Sequence, residues 1–385
     1  MSFRIDTQDL PLPATLSDVQ EFTVSSTPRP YQVKLDESPD PCISIQAQLD
    51  THAKNILIID QKVYALYGKN IDWPDNRIFQ IPATEVFKGM EGVLALYDFL
   101  HQHQITKGET FVVVGGGITQ DMSAFVAATY KRGINWVYFP TTLLAMSDSC
   151  IGGKAGVNYR GSKNQLALFS APQAVMINTE FLRTLAAKDI QSGLGEILKL
   201  CITGGKHLVD FFQQSVQFCT AKHFDCFKPL IMNALAVKRA VIEVDEFEQN
   251  IRKGLNYGHT IGHVIEAMTD YAIPHGIAVV IGMMIVNQLS FDQGLLARED
   301  CLTINGVCFS LIDEESRQLL KTLDIQDMMV RLQQDKKVSG DKVTMIMLLA
   351  PGHLGFVKLT MNADLQRSLW SACEQLGLMD TVAIS

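Results

Sequence analysis

His259 and His263 stand four residues apart in Gly258-His-Thr-Ile-Gly-His-Val-Ile-Glu266, and His275 follows in Pro274-His-Gly276. Positions four apart share a helix face, and neutral imidazoles are common ligands for zinc and similar divalent ions. A carboxylate would complete the set, and Glu196 in Ser192-Gly-Leu-Gly-Glu-Ile-Leu-Lys199 is a candidate from another helix. Two core or capping histidines with one on the surface fit the same spacing. A second group runs Asp148-Ser-Cys-Ile-Gly-Gly-Lys154-Ala-Gly-Val-Asn158, then Gly161-Ser-Lys163-Asn164. Lysine and asparagine donors among glycines make a cradle for phosphate or carboxylate oxygens, though a solvated loop has the same composition. The third group, Gly115-Gly116-Gly117-Ile-Thr-Gln120-Asp121, puts glycines where backbone N–H groups can approach a pyrophosphate. Gln120 occupies the third glycine of the dinucleotide fingerprint, so a tight turn without ligand fits as well.

These residues need elements to hold them. Asn55 to Asp60 is an apolar run ending in an acid and reads as a buried strand; Ile78 to Pro82 is another. Helical spacing over Met90 to His103 puts Leu94, Tyr97, Leu100 and His101 near one face. Glu109 to Val114 is a strand entering the glycines, Asp121 to Tyr130 a helix, and Trp136 to Phe139 a strand closed by Pro140. Strand, helix, strand predicts a parallel sheet with ligands at its carboxyl ends. Beyond Leu182 helical patterns dominate: 188–201, 206–218, 227–245, 257–269, 276–293 and 314–322, with strand-like sequence again at 343–349. The expected fold class is therefore α/β plus α. It comprises an arm over 1–52, a parallel α/β nucleotide-binding domain over 53–181, and a mainly helical metal- and substrate-binding domain over 182–385.

With 33 basic and 41 acidic residues in 385, the net charge is −8, which argues against nucleic acid or an anionic membrane as partner. The longest uncharged apolar run, Ile277 to Val286, is shorter than the roughly 18 residues of a membrane span. Met1 to Leu12 carries Asp6 and Asp9 and has no apolar core like that of a secretory leader. Eight cysteines form no CxxC pair, so reduced thiols in the cytoplasm are expected, with Cys150 more at home in packing than as a nucleophile.

Taken together, GGGITQD, PTTLLAMSDSCIGGK, the Lys163-Asn164 pair, SGLGEILK, IRKGLNYGHTIGHVIE, PHG and DKKV come in an order that resembles the dehydroquinate synthase-like sugar phosphate cyclases. The resemblance runs from about Asn55 to Leu349. It implies an NAD-binding domain, a metal-binding helical domain and a cleft between them. Matched residue by residue, it assigns the metal, zinc or alternatively cobalt, to Glu196, His259 and His275, and moves His263 from the metal to substrate phosphate. The family's other active-site positions fall on Asp148, Lys154, Lys163, Asn164, Lys199, Lys238, Arg252, Asn256 and Lys337. Arg132 matches an arginine lent to the neighbouring subunit, which implies a homodimer. NAD is assigned to Asp60, Glu85, Lys88, Gly115, Gly116, Gly117, Asp121, Thr141 and Thr142.

The implied chemistry is oxidation of an anionic sugar phosphate by NAD, loss of phosphate, return of the hydride and closure of a carbocycle. The expected substrate is 3-deoxy-D-arabino-heptulosonate 7-phosphate, giving 3-dehydroquinate of the shikimate pathway. The alternatives are a cyclase for an amino analogue, glucose 6-phosphate or sedoheptulose 7-phosphate, a metal-dependent polyol dehydrogenase, and a scaffold that keeps only the fold. The chain departs from the family pattern at Ile277, where an acid usually follows His-Gly, at Ala124, and over Leu166 to Pro172.

Overall fold

A computed structural model describes residues 1–13, 19–219, 224–333 and 338–378. Its first layer is a seven-stranded sheet in the order β3-β4-β11-β8-β7-β5-β6. The strands are β3 (Glu21–Val24), β4 (Tyr31–Leu35), β5 (Ile56–Asp60), β6 (Ile78–Ile81), β7 (Thr110–Gly115), β8 (Asn135–Pro140) and β11 (Ala174–Ile177). All pairings from β4 to β6 are parallel; only the edge strand β3 runs antiparallel. Every residue of β5 is buried, as are five of the six in β7 and in β8. A parallel sheet covered on both faces demands such unbroken apolar runs. After β5 the chain places β6 on one side and β7 on the other. The carboxyl ends of β5 and β7, carrying Asp60 and Gly115, therefore flank a topological switch point, where such sheets take ligands.

The second layer is mainly helical. At its centre lies the His275–Asp292 helix, buried continuously from Gly276 to Ser290. It is long and apolar enough to cross a membrane by length and composition, yet 83% of it is buried within the protein. A helix apolar on all sides is satisfied by neighbours on all sides. Here they include the helices Ala187–Gly204, His259–Met268, Arg298–Ser310 and Ala363–Gln375.

The first 52 residues are not an arm. β1 (Ser2–Ile5) pairs parallel with β14 (His353–Thr360), and β2 (Gln8–Pro11) extends the same sheet, in the order β12-β13-β14-β1-β2. β12 is Val338–Ser339 and β13 is Lys342–Ala350. β3 and β4 instead join the seven-stranded sheet, so this stretch ties into both layers. Two further expectations change. The helix after the glycines begins at Gly117 rather than Asp121. The buried stripe of the Met90–Gln102 helix is Val93, Leu96 and Leu100, with Leu94 exposed.

Candidate active site

Glu196 comes from the middle of the Ala187–Gly204 helix, whereas His259 and His275 are each the first residue of their helices. Two helices meet backbone to backbone beside them. A Cβ on Gly276 would fall 1.8 Å from the Ser192 carbonyl oxygen, and the Gly276 N–H donates to Ser192 Oγ at 2.9 Å. That contact sets Glu196, four residues after Ser192, against His275. Glu196 Oε1 is buried without a hydrogen-bond partner among the described residues. It lies 3.7 Å from His259 Nε2 and 3.5 Å from His275 Nε2. A buried carboxylate oxygen left unpaired is costly, and two imidazole nitrogens converging on it make a donor set that a divalent cation would satisfy. The hydrogen bonds behind the rings suit the same purpose: His259 Nδ1 faces the Tyr257 carbonyl at 3.2 Å and His275 Nδ1 faces Glu266 Oε2 at 3.0 Å. Burial, with Lys199 and the other two histidines nearby, holds His259 well below the usual histidine pKa, in the neutral form that ligates. His263 is close too, since a nitrogen from each of the three histidines lies within 4.8 Å of the others. It is exposed, however, and stacks on His275. The orphaned oxygen favours Glu196 as the third donor.

Beside this cluster, Asp148 sits at the end of a π-helical turn over Ala145–Ser149. Lys199 Nζ is 3.0 Å from Asp148 Oδ2 and 2.5 Å from Glu196 Oε2; Lys238 pairs with Asp148 Oδ1 and donates to its backbone oxygen at 2.6 Å. Burial would raise the Asp148 pKa, but the two ammonium groups outweigh it and hold it well below the carboxylate range. Lys154 opens β9 (Lys154–Tyr159), which forms a hairpin with β10 (Ser162–Phe169), and its Nζ meets Glu248 at 2.5 Å. Burial lowers the Lys154 pKa to about 8 despite that pairing. Arg252 is 2% exposed: its guanidinium donates to the Gly152 carbonyl at 2.9 Å and to the Glu246 carbonyl, over the Phe169 ring. Gly152 holds φ at +93° with Arg252 Nη2 where a Cβ would go, so no other residue fits there.

A cavity of about 310 Å³ is lined by Asp148, Lys154, Asn164, Lys199, Lys238, Arg252, Asn256 and His263, together with Glu196, His259 and His275. Asp121, from the Gly117–Thr129 helix, lines it as well. Lys88 bridges the two regions, 2.5 Å from Asp121 Oδ2 and 2.7 Å from Asn164 Oδ1. Glu85 accepts from Asn158 at 2.8 Å, and Asp60 caps the following helix through the N–H groups of Lys62 and Val63. At the glycine turn, a Cβ on Gly117 would meet nothing nearer than Ser149 Oγ at 4.0 Å, which leaves the helix N-terminus open to an anion. Thr119 Oγ1 and Ser123 Oγ of this helix are buried without partners among the described residues. Thr141 N–H donates to the Gly115 carbonyl and Thr142 Oγ1 accepts from Ala145 N–H.

Three candidates stand apart. Lys163 is exposed, with Nζ 3.8 Å from the Tyr271 ring centroid. Arg132, exposed at φ +64°, is not among the residues lining the cavity of its own chain. Lys337 lies outside the described residues. Cys150 is buried, its thiol pushed up to about 12 by burial, as suits packing. Sequence reading missed Glu248 and Glu266. Glu248 stands four residues before Arg252, but it has φ +56° and binds Lys154 and Asn256. Glu266 was visible as the acid seven residues after His259 on the same helix.

Two family models match the chain: 3-dehydroquinate synthase N-terminal over residues 78–192 and 3-dehydroquinate synthase C-terminal over residues 193–338. A 3-dehydroquinate synthase of Streptococcus equi subsp. equi (strain 4047) is 34% identical over 314 residues, covering 79% of this chain and 84% of the relative. A 2-deoxy-scyllo-inosose synthase complexed with carbaglucose-6-phosphate, NAD+ and Co2+ superposes with a TM-score of 0.75 at 21% identity, over 91% of this chain and 99% of the other. ValA, a 2-epi-5-epi-valiolone synthase from Streptomyces hygroscopicus subsp. jinggangensis 5008 with NAD+ and Zn2+ bound, gives 0.73 at 24% identity, over 90% and 96%.

Proposed function

Because this chain belongs to the 3-dehydroquinate synthase family, we propose that it is a phosphate-eliminating lyase converting 3-deoxy-D-arabino-heptulosonate 7-phosphate to 3-dehydroquinate. The observation that carries the reading is the unpaired Glu196 Oε1 facing two histidine Nε2 atoms in a cavity that also holds Lys154, Arg252, Asn256 and His263. One end suits a divalent cation and the other an anionic substrate.

Glu196, His259 and His275 hold the metal, zinc or cobalt. NAD rests on Gly115 to Gly117 and the open start of the Gly117–Thr129 helix, with Asp60, Glu85, Lys88, Asp121, Thr141 and Thr142 around it. The cofactors bound to same-fold neighbours lend support to both assignments. When bound, the metal increases the acidity of a sugar hydroxyl, and NAD takes a hydride and returns it. The chain's own residues supply the rest. Lys154, Asn256 and His263 bind the phosphate, with Lys337 as a further partner and Arg132 reaching in from a second subunit of a homodimer. Arg252 and Asn164, with Lys163, serve the carboxylate. Asp148 keeps Lys199 and Lys238 charged and fixed, so that negative charge developing on the substrate meets cations already in place.

The test is phosphate release from the heptulosonate in the presence of NAD and Zn2+, with NADH followed by absorbance. Phosphate should appear without accumulating NADH and should stop after chelation. One NADH per product would support a polyol dehydrogenase instead. A sister cyclase is the second reading, favoured by Lys163 resting on Tyr271 and by Arg252 already donating to two carbonyls. Faster turnover of glucose 6-phosphate or sedoheptulose 7-phosphate would establish it.

A further inference from the structure

We propose that Glu266 is a positioning residue for the metal site, accepting the Nδ1–H of His275 and so reserving Nε2 for the cation. The inference rests on the metal assignment made above. Imidazole has two nitrogens, and which one is free to ligate depends on what the other bonds. An ionised carboxylate can only accept, so a Glu266 Oε2 at 3.0 Å requires the proton on Nδ1. In the neutral ring that ligates, the lone pair is then on Nε2, the atom 3.5 Å from the unpaired Glu196 Oε1. His259 is selected the same way by the Tyr257 carbonyl. The two supports differ in one respect: the carbonyl is neutral and the carboxylate is charged, so Glu266 also makes His275 the more basic ligand.

The placement of Glu266 fits this role. It is 8% exposed and lies on the helix whose first residue is His259, while His275 begins the next helix. The connecting turn passes through Asp270 and Tyr271 at φ +47° and +62°, and the Tyr271 N–H returns to the Glu266 carbonyl at 2.8 Å. One residue thus holds the turn by its backbone and the ligand by its side chain. The titratable groups facing its carboxylate are His275, His263 and Lys163. Ile277, two residues after His275, is fully buried in the core. Glu266 reaches the ring without any help from position 277.

A purely structural role would leave metal affinity alone, so affinity is the readout. Chelator-treated wild type, Glu266→Gln and Glu266→Ala are titrated with Co2+, whose visible bands report the ligand set, and with Zn2+ against a chromophoric chelator. The expected result is an affinity loss of about tenfold for Gln and up to about a hundredfold for Ala, with altered Co2+ bands. Gln preserves shape and keeps the test readable if Ala fails to fold. Wild-type affinity in folded Glu266→Gln overturns the proposal. So does a lower thermal midpoint of the metal-free variant with unchanged affinity, which would make Glu266 a brace for the turn. Wild type that binds neither ion would instead remove the metal assignment itself.

Discussion

Gln120 and Ser149 exchange two hydrogen bonds: the Gln120 amide donates to the Ser149 carbonyl at 2.7 Å and accepts from Ser149 Oγ at 2.7 Å. One residue lies in the first turn of the Gly117–Thr129 helix, the other directly after Asp148, so the pair ties the start of that helix to the charged cluster. The residue that spoils the dinucleotide fingerprint is thus the joint between the two.

Gln120→Ala leaves the Ser149 groups without these partners. The expected cost is about 1–3 kcal/mol of stability, measurable by urea denaturation. It should come with a higher NAD requirement in phosphate-release assays. Unchanged NAD dependence would make the pair a packing detail.

Asp148 neutralises two buried ammonium groups. Asp148→Asn should lower stability by about 3–5 kcal/mol at pH 7, because Lys238 stays buried without its carboxylate and Lys199 keeps only Glu196. The sign with pH follows from its depressed pKa. Wild type holds this stabilisation above the ordinary carboxylate range and loses it as the pH falls through the folded-state value. Thermal midpoints of the two proteins should stay apart from pH 7 to about pH 4 and draw together only below that; curves still parallel at the lowest pH that the fold survives would contradict the assignment.

The cleft around Lys154 lowers its pKa to about 8, although the side chain is half exposed. If its ammonium binds the substrate phosphate, kcat/KM falls about tenfold per unit as the pH rises above this value. Lys154→Arg should flatten that limb, since guanidinium stays charged. Stability moves the other way: between pH 8 and the ordinary lysine range the unfolded chain holds more protons, so this group favours folding increasingly as pH rises. A flat wild-type profile to pH 10 would remove Lys154 from phosphate binding.

Arg132 is absent from its own cavity lining. Mixed dimers of Arg132→Ala and Lys154→Ala should regain activity, up to about a quarter of wild type when subunits exchange freely, because one of two sites in each hybrid is intact. No recovery in exchanged dimers would mean that Arg132 acts in its own chain.

The apolar strands β5, β7 and β8 were legible because a parallel sheet buried on both faces leaves an unbroken pattern in sequence. β1 to β4 were not. Each has four or five residues, several of them exposed, and although β1 pairs with β2 and β3 with β4, the strands that join these pairs to their sheets, β14 and β11, lie far along the chain. Spacing correctly gathered His259, His263 and His275 but could not separate a ligand from its neighbour. That distinction depends on Glu196, which arrives from another helix and leaves one oxygen unpaired. Glu248 is not legible from spacing, because its backbone is left-handed and its partners Lys154 and Asn256 come from other parts of the fold.

Pairing Arg4 with His353 has a consequence for how the protein is made. On the ribosome β1 emerges first, but its parallel neighbour β14 arrives only after nearly the whole chain. At about 5–20 residues per second, β1 must wait roughly 20–70 s for that neighbour. Meanwhile Phe3 and Ile5, which the finished sheet buries, have no final place to go. The seven-stranded sheet can form in that interval, since its last strand ends at Ile177. Closure of the second sheet then becomes the late event of biosynthesis. A nascent chain stalled before residue 353 should protect β5 and β7 from protease while leaving β1 open to cleavage.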